Sequence, residues 1–396
     1  MKKELLRVNQ NAGILIVVQV VSKIMGVLFA VVLARRLGAE NFGILAFALS
    51  VSSLLWILSS FGFPNLISRD LSRQPQHLPE YFWTILFLKF FLAIAAFLLL
   101  QLYLVFQDFG TTKLFTLYWV FLFLLADSFI EFHNAFFRSA QLMQYEGIIR
   151  VGANVGQASL GILLVYLVGK LPTIVFGTFG VYFTFALLAF LLVKRKFRVG
   201  RIVVRRDLMV SLLRKVFPFA LIQIFVMIYE KVDIIMLSHM VGDIYAGYYN
   251  SAQRLCGVLS FVPASLAAAL LPFLSSRGNH GEDLRSLNSD QYLFVTRNLA
   301  LLILPVVMLF FFLPERVIVL VYGNEYSTAY FSLRVLSIKL ALSFINYINV
   351  TFLMSLNKEK ATSRIVFLGA LVNIFLNYLL IPRFFQDGAA AATLAT

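Results

Sequence analysis

The feature that most constrains this chain is a series of apolar runs, each about twenty residues long. Residues 14–33, 85–106 and 174–193 are examples. A helix of about twenty apolar residues crosses the ~30 Å hydrocarbon core of a bilayer. A transmembrane β-barrel would instead show segments of about ten residues with alternating polarity, and these runs do not alternate. The sequence therefore predicts an all-α integral membrane protein.

Composition supports this prediction. Only 13% of the residues are charged, and the mean hydropathy is +0.86. Soluble domains carry about a quarter charged residues, so this chain lacks the polar surface of a water-soluble domain. The first apolar segment follows a basic start, but it is too long for the core of a signal peptide. We interpret it as a retained first spanning helix.

The apolar runs predict eleven spanning helices and the beginning of a twelfth. The twelfth starts near Ala389, and eight residues cannot span a bilayer, so we expect the sequence to be clipped at its C-terminus. The eleven predicted helices are residues 11–34, 44–68, 84–106, 114–137, 151–169, 172–193, 216–238, 249–274, 292–314, 329–355 and 361–382.

The loop charges test this map. The N-terminus and the loops after even-numbered helices carry 22 Lys and Arg residues, whereas the loops after odd-numbered helices carry 6. Lys and Arg accumulate in cytoplasmic loops, which also explains the net charge of +15 without nucleic acid. The contrast predicts a multi-pass protein of the cytoplasmic membrane with its N-terminus inside.

The most basic loop divides the chain into two six-helix lobes. We expect an N-terminal lobe at 1–193, a cytoplasmic linker at 194–215 and a C-terminal lobe at 216–396. Val204, Leu208 and Leu212 recur every four residues in the linker, which is typical of a helix lying on an anionic membrane surface. An ordinary basic loop explains the linker equally well.

A weak internal repeat relates the two lobes and makes predicted helix 7 the counterpart of helix 1. Transporters built from parallel repeats have this organisation. The repeated residues are Leu33, Gly38, Gly43 and Ala48 in the first lobe and Leu237, Gly242, Gly247 and Ala252 in the second.

Several basic residues lie inside the predicted helices, where a charge is costly unless it meets water or a partner. Lys23 is near the middle of helix 1, and Lys339 is about ten residues into helix 10. Both need water, an acid or a bound anion. Lys89 and Arg254 lie closer to helix ends, so each could either extend to the interface or serve a function.

Acidic residues form two further groups. Asp127, Glu131 and Arg138 are spaced on one face of predicted helix 4, which indicates either a structural ion-pair network or a cation site. Glu230, Lys231 and Asp233 are three charges within four residues of helix 7. We expect this second group to line a cavity.

Motifs for catalysis are missing from the sequence. It has no Walker A motif, no Gly-x-Ser-x-Gly elbow and no cluster of His, Cys or Glu with metal-ligand spacing. With a single cysteine, Cys256, no internal disulfide can form. We therefore predict a protein without cofactors that is not an enzyme.

Loose motifs along nearly the whole chain resemble those of the polysaccharide flippases. These are the Wzx-like members of the superfamily that also holds the multidrug MATE exporters and the lipid II flippase MurJ. The motifs are SKIMG at 22–26, ARRLGAENFG at 34–43, DIIML at 233–237, AGYYNSAQRL at 246–255, LP at 271–272, YGNEY at 322–326, GALVN at 369–373, Asn377, LIP at 380–382 and GAA at 388–390.

The resemblance implies two six-helix lobes around a central cavity and rocking between inward-open and outward-open states. It implies a polyprenyl-diphosphate-linked oligosaccharide as cargo, for a cell-surface polysaccharide such as O-antigen of lipopolysaccharide. Membrane lipids, glycosyltransferases and a polymerase of the same pathway are the implied partners. Lys23 matches a position that is often basic in this family.

The buried charges supply candidate sites for such a cargo. Lys23, Lys231, Arg254 and Lys339 are the candidates for binding the diphosphate, since cations stabilise phosphate oxygens. Because no ATP motif is present, transport must be driven by an ion gradient, the membrane potential or the cargo's own gradient. The candidates for ion coupling are Asp127, Glu131, Glu230 and Asp233.

Two alternatives stay open at this point. An ion-coupled multidrug antiporter of the same superfamily would favour an acidic cavity for organic cations, whereas the embedded charges here are more basic than acidic. A membrane-embedded oligosaccharide polymerase or ligase would carry a long outer loop with catalytic Arg or His residues. The predicted outer loops are all short.

The predicted topology can be tested by thiol labelling. With Cys256 replaced by Ser, a cysteine in the 194–215 linker should resist a membrane-impermeant maleimide in intact cells, because the linker is cytoplasmic. Asp108→Cys, in a predicted outer loop, is the positive control. Ready labelling of the linker would overturn the topology.

Overall fold

The structure, a computed structural model, describes residues 2–200, 202–259, 303–355 and 359–396, together with positions 297 and 301. Within these residues the chain is helical and contains no strand, which confirms the predicted fold class. The helices are α1 Lys2–Ser60, α2 Phe63–Arg73, α3 Leu78–Val105, α4 Thr111–Ser139, α5 Met143–Leu167, α6 Leu171–Lys196, α7 Arg206–Met240, α8 Asp243–Leu259, α9 Ile303–Phe312, α10 Pro314–Tyr322, α11 Tyr330–Ser355 and α12 Glu359–Ala395.

Seven stretches of the described residues are long and apolar enough to cross a membrane, or eight if the bent pair α9 and α10 forms one span. The chain is therefore a multi-pass membrane protein. One of these stretches, Val18–Arg73, contains most of the first predicted helix and all of the second, so it accounts for part of the difference from the eleven predicted.

Two long helices are interrupted at single residues. In α1 the backbone leaves the helical region at Gly38, with φ 79° and ψ 172°, a conformation that glycine adopts without a Cβ clash. In α12 the break is at Phe385, with φ 52°, three residues after Pro382. The Phe385 ring stacks on Tyr245, with ring centroids 4.7 Å apart, and this contact fixes an otherwise unfavourable backbone.

A sharp bend separates α9 from α10, where the sequence predicts a loop. The two helices meet at 91°. Pro314 is the first residue of α10, and proline disfavours the helical conformation of the residue before it. A new helix therefore starts at the proline in a new direction.

The described chain forms two compact units. Unit 1 contains residues 1–37 and 48–227, and unit 2 contains residues 38–47 and 228–396. These borders differ from the predicted lobe borders in two ways. The first part of α7 belongs to unit 1, and residues 38–47, which include the start of the second predicted span, belong to unit 2.

The basic linker does not contain a separate surface helix. Residues 197–200 and 202–205 lack helical structure, and α7 then runs unbroken from Arg206 to Met240. Leu212 is fully buried in the core of unit 1, and Val199 is nearly so. Parts of the linker therefore pack on unit 1, whereas Val204 and its neighbours Ile202 and Val203 are exposed.

Unit 1 is held together by an aromatic core and by close helix packing. Phe82 of α3 contacts Phe132 and Phe136 of α4, with ring centroids 5.7 and 5.3 Å apart. Between α5 and α6, a Cβ on Gly152 would lie 2.4 Å from the Phe185 ring. Gly152 and Gly156 form a small-xxx-small pattern, which allows transmembrane helices to approach closely.

Candidate functional site

Unit 1 contains a network of five charged side chains from α4 and α5. The Arg138 Nε donates to both carboxylate oxygens of Glu146, each at 2.9 Å, and its Nη2 donates to Glu131 at 2.5 Å. The Arg150 Nη1 donates to Asp127 at 2.6 Å, and its Nη2 donates to the second oxygen of Glu131. Each carboxylate is therefore paired with at least one guanidinium.

The network is a consequence of hairpin geometry. Helices α4 and α5 are joined by a short connection, so positions equally far from it lie at the same height. Glu131 is eight residues before the end of α4, and Arg150 is seven residues after the start of α5. The helical rise of 1.5 Å per residue places them opposite each other.

This arrangement favours the structural interpretation of Asp127 and Glu131 over a cation site. Their charges are already compensated by two arginines, whose planar forks match carboxylate geometry. Sequence reasoning brought Asp127, Glu131 and Arg138 together but missed Arg150 and Glu146. Arg150 could have been found from the register of the hairpin, because it lies about two turns into α5, at the height of Glu131.

The network continues toward α1 through neutral groups. The Asn154 Nδ2 donates to Ser22 Oγ at 2.8 Å, and the Tyr182 hydroxyl donates to Asn154 Oδ1 at 2.9 Å. Ser22 is the neighbour of Lys23, whose side chain is exposed on α1. Lys23 therefore lies one residue from the end of an ordered polar network.

Lys89 does not extend to the interface, which was one of its two open interpretations. Its side chain is fully buried within unit 1. The ammonium donates to the Ser59 carbonyl at 2.7 Å and to Ser128 Oγ at 2.5 Å, and it lies 5.1 Å from the centre of the Phe129 ring. These contacts cross-link three helices of unit 1 at one point.

Unit 2 contains a different kind of polar cluster, centred on Asp233 of α7. Asp233 is 1% exposed and accepts three hydrogen bonds from neutral donors. The donors are the Tyr249 hydroxyl at 2.6 Å, the Asn377 amide at 2.6 Å and the Thr393 hydroxyl at 2.8 Å. The Asn377 amide also donates to Asn373 Oδ1 at 2.9 Å.

The cluster is rich in oxygen atoms and has no ion pair. In the described part of the chain, no basic group lies within salt-bridge distance of Asp233, although Lys339 on α11 interacts with it electrostatically. The Asn377 Oδ1 is buried without a hydrogen-bond donor there. Carboxylate, amide and hydroxyl oxygens are the ligands that hard cations prefer. The cluster can hold a proton or a small cation.

Both arms of α12 supply this cluster, because Asn373 and Asn377 precede the Phe385 break and Thr393 follows it. The sequence identified Asp233 as a deep charge and the two asparagines as parts of a motif without a role. Tyr249 was likewise part of a motif without a role, and Thr393 was not identified. Glu230 lies outside the cluster and is exposed.

Basic side chains of unit 2 form a second feature. Lys231 and Arg254 are half-buried and close enough to repel each other. The Arg254 guanidinium lies 5.6 Å from the centre of the Phe42 ring. Glu230 also interacts electrostatically with Lys231, although in the described part of the chain no carboxylate lies within salt-bridge distance of either cation. Two cations in this arrangement are suited to binding an anion.

The chain matches the family described as polysaccharide biosynthesis protein over residues 8–277, about two thirds of its length, and the MatE family over residues 218–379. It is 23% identical over 394 residues to the membrane protein MJ1375 of Methanocaldococcus jannaschii, covering 95% of this chain and 91% of that protein. It is 24% identical over 167 residues to the probable low-salt glycan biosynthesis flippase Agl15 of Haloferax volcanii, covering 42% and 34% of the two chains.

Solved structures show the same fold at low sequence identity. A multidrug resistance MATE family transporter of the MOP superfamily aligns with a TM-score of 0.73 and 13% identity, over 94% of this chain and 91% of the other. The lipid II flippase MurJ aligns with a TM-score of 0.68 and 16% identity, over 96% and 84%.

The two family matches place the chain among the membrane transporters of the MOP superfamily, and its fold is that of a MATE transporter and of MurJ. Within this superfamily, the chain belongs to the polysaccharide biosynthesis protein family, as the match over residues 8–277 shows.

The unit 1 network predicts a specific pattern of destabilisation. Arg150→Met should lower the free energy of unfolding by about 3–5 kcal/mol, because it leaves buried carboxylate charge without a partner. Adding Asp127→Asn and Glu131→Gln should restore most of the loss. Thermal unfolding of the purified protein in detergent measures both effects, and Arg195→Met, on the exposed end of α6, is the control. A rescue that fails would contradict the structural role.

Proposed function

We propose that this chain flips a polyprenyl-diphosphate-linked oligosaccharide across the cytoplasmic membrane by alternating access, with its N-terminus inside. The observation that carries the proposal is the match to the polysaccharide biosynthesis protein family over two thirds of the chain. The similarity to Agl15, described as a probable glycan biosynthesis flippase, supports it. The product would enter cell-surface glycan synthesis, with glycosyltransferases acting before transport and a polymerase after it.

The cargo's diphosphate needs cationic partners inside the membrane. In unit 2, Lys231 and Arg254 are half-buried, and among the described residues no carboxylate lies within salt-bridge distance of either, so their donors suit phosphate oxygens. In unit 1, Lys23 is an exposed cation on α1. Lys339 is a weaker candidate for the cargo, because it interacts electrostatically with Asp233, at a distance longer than an ion pair.

Asp233 is the best-supported candidate for ion coupling. Asp127 and Glu131 are compensated by arginines, and Glu230 is exposed, whereas Asp233 is buried with three neutral donors only. Binding of a proton or a cation would require these donors to reorient. Since the donors come from α8 and α12, such a change would reach both helices.

An ion-coupled multidrug antiporter is the second candidate. The MatE match over residues 218–379 and the MATE structural neighbour favour it. It would bind organic cations, for which the adjacent Lys231 and Arg254 are poorly suited because like charges repel. The two candidates therefore predict opposite effects when a basic residue is neutralised.

Neutralising single lysines tests the cargo site. In proteoliposomes holding a fluorescent polyprenyl-diphosphate oligosaccharide, Lys23→Gln and Lys231→Gln should each slow flipping about tenfold or more, because a charged hydrogen bond to phosphate is lost. Lys23→Arg and Lys231→Arg should retain part of the rate, since charge is kept but its geometry changes.

Lys194→Gln, in the basic linker, is the matched control and should flip at the wild-type rate. The same vesicles are tested with a cationic dye in the lumen or outside. If the glutamine variants keep full flipping, the cargo site is wrong. If the wild-type protein moves the dye but not the glycolipid, the antiporter is correct.

Neutralising Asp233 tests ion coupling. In Asp233→Asn the amide keeps the shape of the carboxylate, but it has no negative charge to attract a cation and it cannot exchange a proton. We expect flipping by this variant to become independent of imposed proton and sodium gradients and to fall to the gradient-free rate of the wild type. Asp387→Asn, outside the cluster, is the control. A full response of Asp233→Asn to a gradient would exclude Asp233 as the coupling site.

A further inference from the structure

Three apolar side chains of the basic linker are exposed next to one another, in a stretch without helical structure. Ile202 is 72% exposed, Val203 41% and Val204 38%. We call Ile202, Val203 and Val204 the exposed triplet. Single apolar residues on a surface need no partner, whereas adjacent ones within a strongly charged segment indicate an interaction surface.

The chain on both sides of the exposed triplet is attached to unit 1. Before it, Val199 is buried in the core of that unit. After it, the backbone N–H of Arg205 donates to the Thr84 hydroxyl at 3.3 Å, and the Arg205 guanidinium donates to Glu80 at 3.1 Å. The exposed triplet is therefore held at a defined place on the surface of unit 1.

The contact with Thr84 places the exposed triplet at one edge of the membrane. Thr84 is the first residue of the third apolar run of the sequence. In α3, Tyr81 and Trp83 precede it, and such aromatic residues are enriched at membrane–water interfaces. Side chains that are more than half exposed, such as Phe90 and Phe91, follow it. The hydrocarbon therefore begins close to Thr84, and the exposed triplet directly precedes the residue that bonds Thr84.

Helix α6, which leads into the linker, ends in the same kind of environment. Its exposed residues Phe183, Leu187 and Leu191 recur every four positions along one face, as expected of a face toward lipid. Its last turn is the basic run at 194–196, and cations at the end of an apolar helix reach for the lipid headgroups. The linker thus begins and ends at the level of the headgroups.

Basic side chains flank the exposed triplet. Arg198 and Arg206 are exposed on either side of it, and among the described residues no carboxylate lies within salt-bridge distance of either. Arg198 has a φ of 46°, a conformation that glycine adopts more readily, so the backbone turn does not require this side chain. Residues 194–215 contain nine Lys and Arg and a single acid, Asp207. This charge is complementary to an anionic surface.

We propose that the exposed triplet inserts into the headgroup region of the cytoplasmic leaflet and that Arg198 and Arg206 bind anionic phospholipids there. The predicted topology supplies the side of the membrane. Burial of apolar side chains holds neighbouring cations near the lipid phosphates, so the two kinds of residue act together. The contact is made by a non-helical segment and not by the predicted surface helix, because Leu212 packs in the core of unit 1.

A fluorescent reporter tests insertion. In the protein with Cys256→Ser, Val203→Cys carries an environment-sensitive dye, and nanodiscs contain phosphatidylcholine alone or equal parts of phosphatidylcholine and phosphatidylglycerol. Lipids with spin-labelled acyl chains quench a dye that inserts. We expect quenching in the anionic discs and little in the neutral ones, and high salt should reduce it. Gln74→Cys, exposed in the connection before α3, is the reference for a dye in water.

Charge and apolar character are varied separately. Arg198→Gln combined with Arg206→Gln should lower the ratio of inserted to exposed dye in anionic discs about thirtyfold, because two cations near an anionic surface are lost. Ile202→Ser combined with Val204→Ser keeps the charge and should also reduce insertion, because less apolar surface is buried. Thermal unfolding in detergent should be the same in all variants, since these side chains are exposed.

Lys113→Gln combined with Lys170→Gln removes the same charge from the predicted outer loops and should match the parent. A dye at position 203 that stays in water in anionic discs would overturn the proposal, and so would equal insertion in both kinds of disc. A dye shielded from water but not quenched by lipid would show that protein, such as a second copy of this chain, covers the exposed triplet instead. Insertion is measured without cargo, so failure of the proposed flipping would leave this result unchanged.

Discussion

The constraint on which the structure depends is that a backbone in hydrocarbon must satisfy its own hydrogen bonds. Long unbroken helices follow directly, and any break becomes a place where polar groups need new partners. The break at Gly38 shows how this chain solves the problem, because the freed N–H of Ala39 is bonded by the Glu325 carboxylate. The break at Phe385 is fixed instead by ring stacking on Tyr245. The Phe385 break lies between Asn377 and Thr393, which both bond Asp233.

Buried carboxylates are stabilised in different ways in the two units, although both lie in the same low-dielectric environment. In unit 1, two guanidinium groups bond three carboxylates, and the Lys89 ammonium interacts electrostatically with Asp127 and Glu131. Three positive charges thus balance three negative ones, so the network has little to gain from a further ion. In unit 2, Asp233 is surrounded by hydroxyl and amide donors, which stabilise a carboxylate without neutralising it. A carboxylate that is hydrogen-bonded but keeps its negative charge, such as Asp233, can bind and release a cation at modest cost. The unit 1 network, whose carboxylates are all paired with arginines, serves instead as a rigid support.

The fold was predictable because run length and loop charge are local properties of the sequence. Helix borders were less predictable, since the Gly38 break and the 91° bend at Pro314 depend on what packs beside them. Spacing alone grouped Asp127, Glu131 and Arg138, but Arg150 joins them through the register of a hairpin. The partners of Asp233 on α12 lie 144 and 160 residues away in sequence, and no local pattern connects them.

The internal repeat explains why residues 39–47 and α8 fit together. Gly38 and Gly242 both have positive φ, 79° and 113°, and five residues after each comes a glycine whose backbone is in close contact. Two copies of one turn present the same small surface, and small surfaces allow helix backbones to approach closely. In the first copy, the Glu325 carboxylate also accepts a hydrogen bond from the backbone N–H of Ala39. The repeat therefore supplies the shape of the contact, and this hydrogen bond adds a charge-assisted interaction to it.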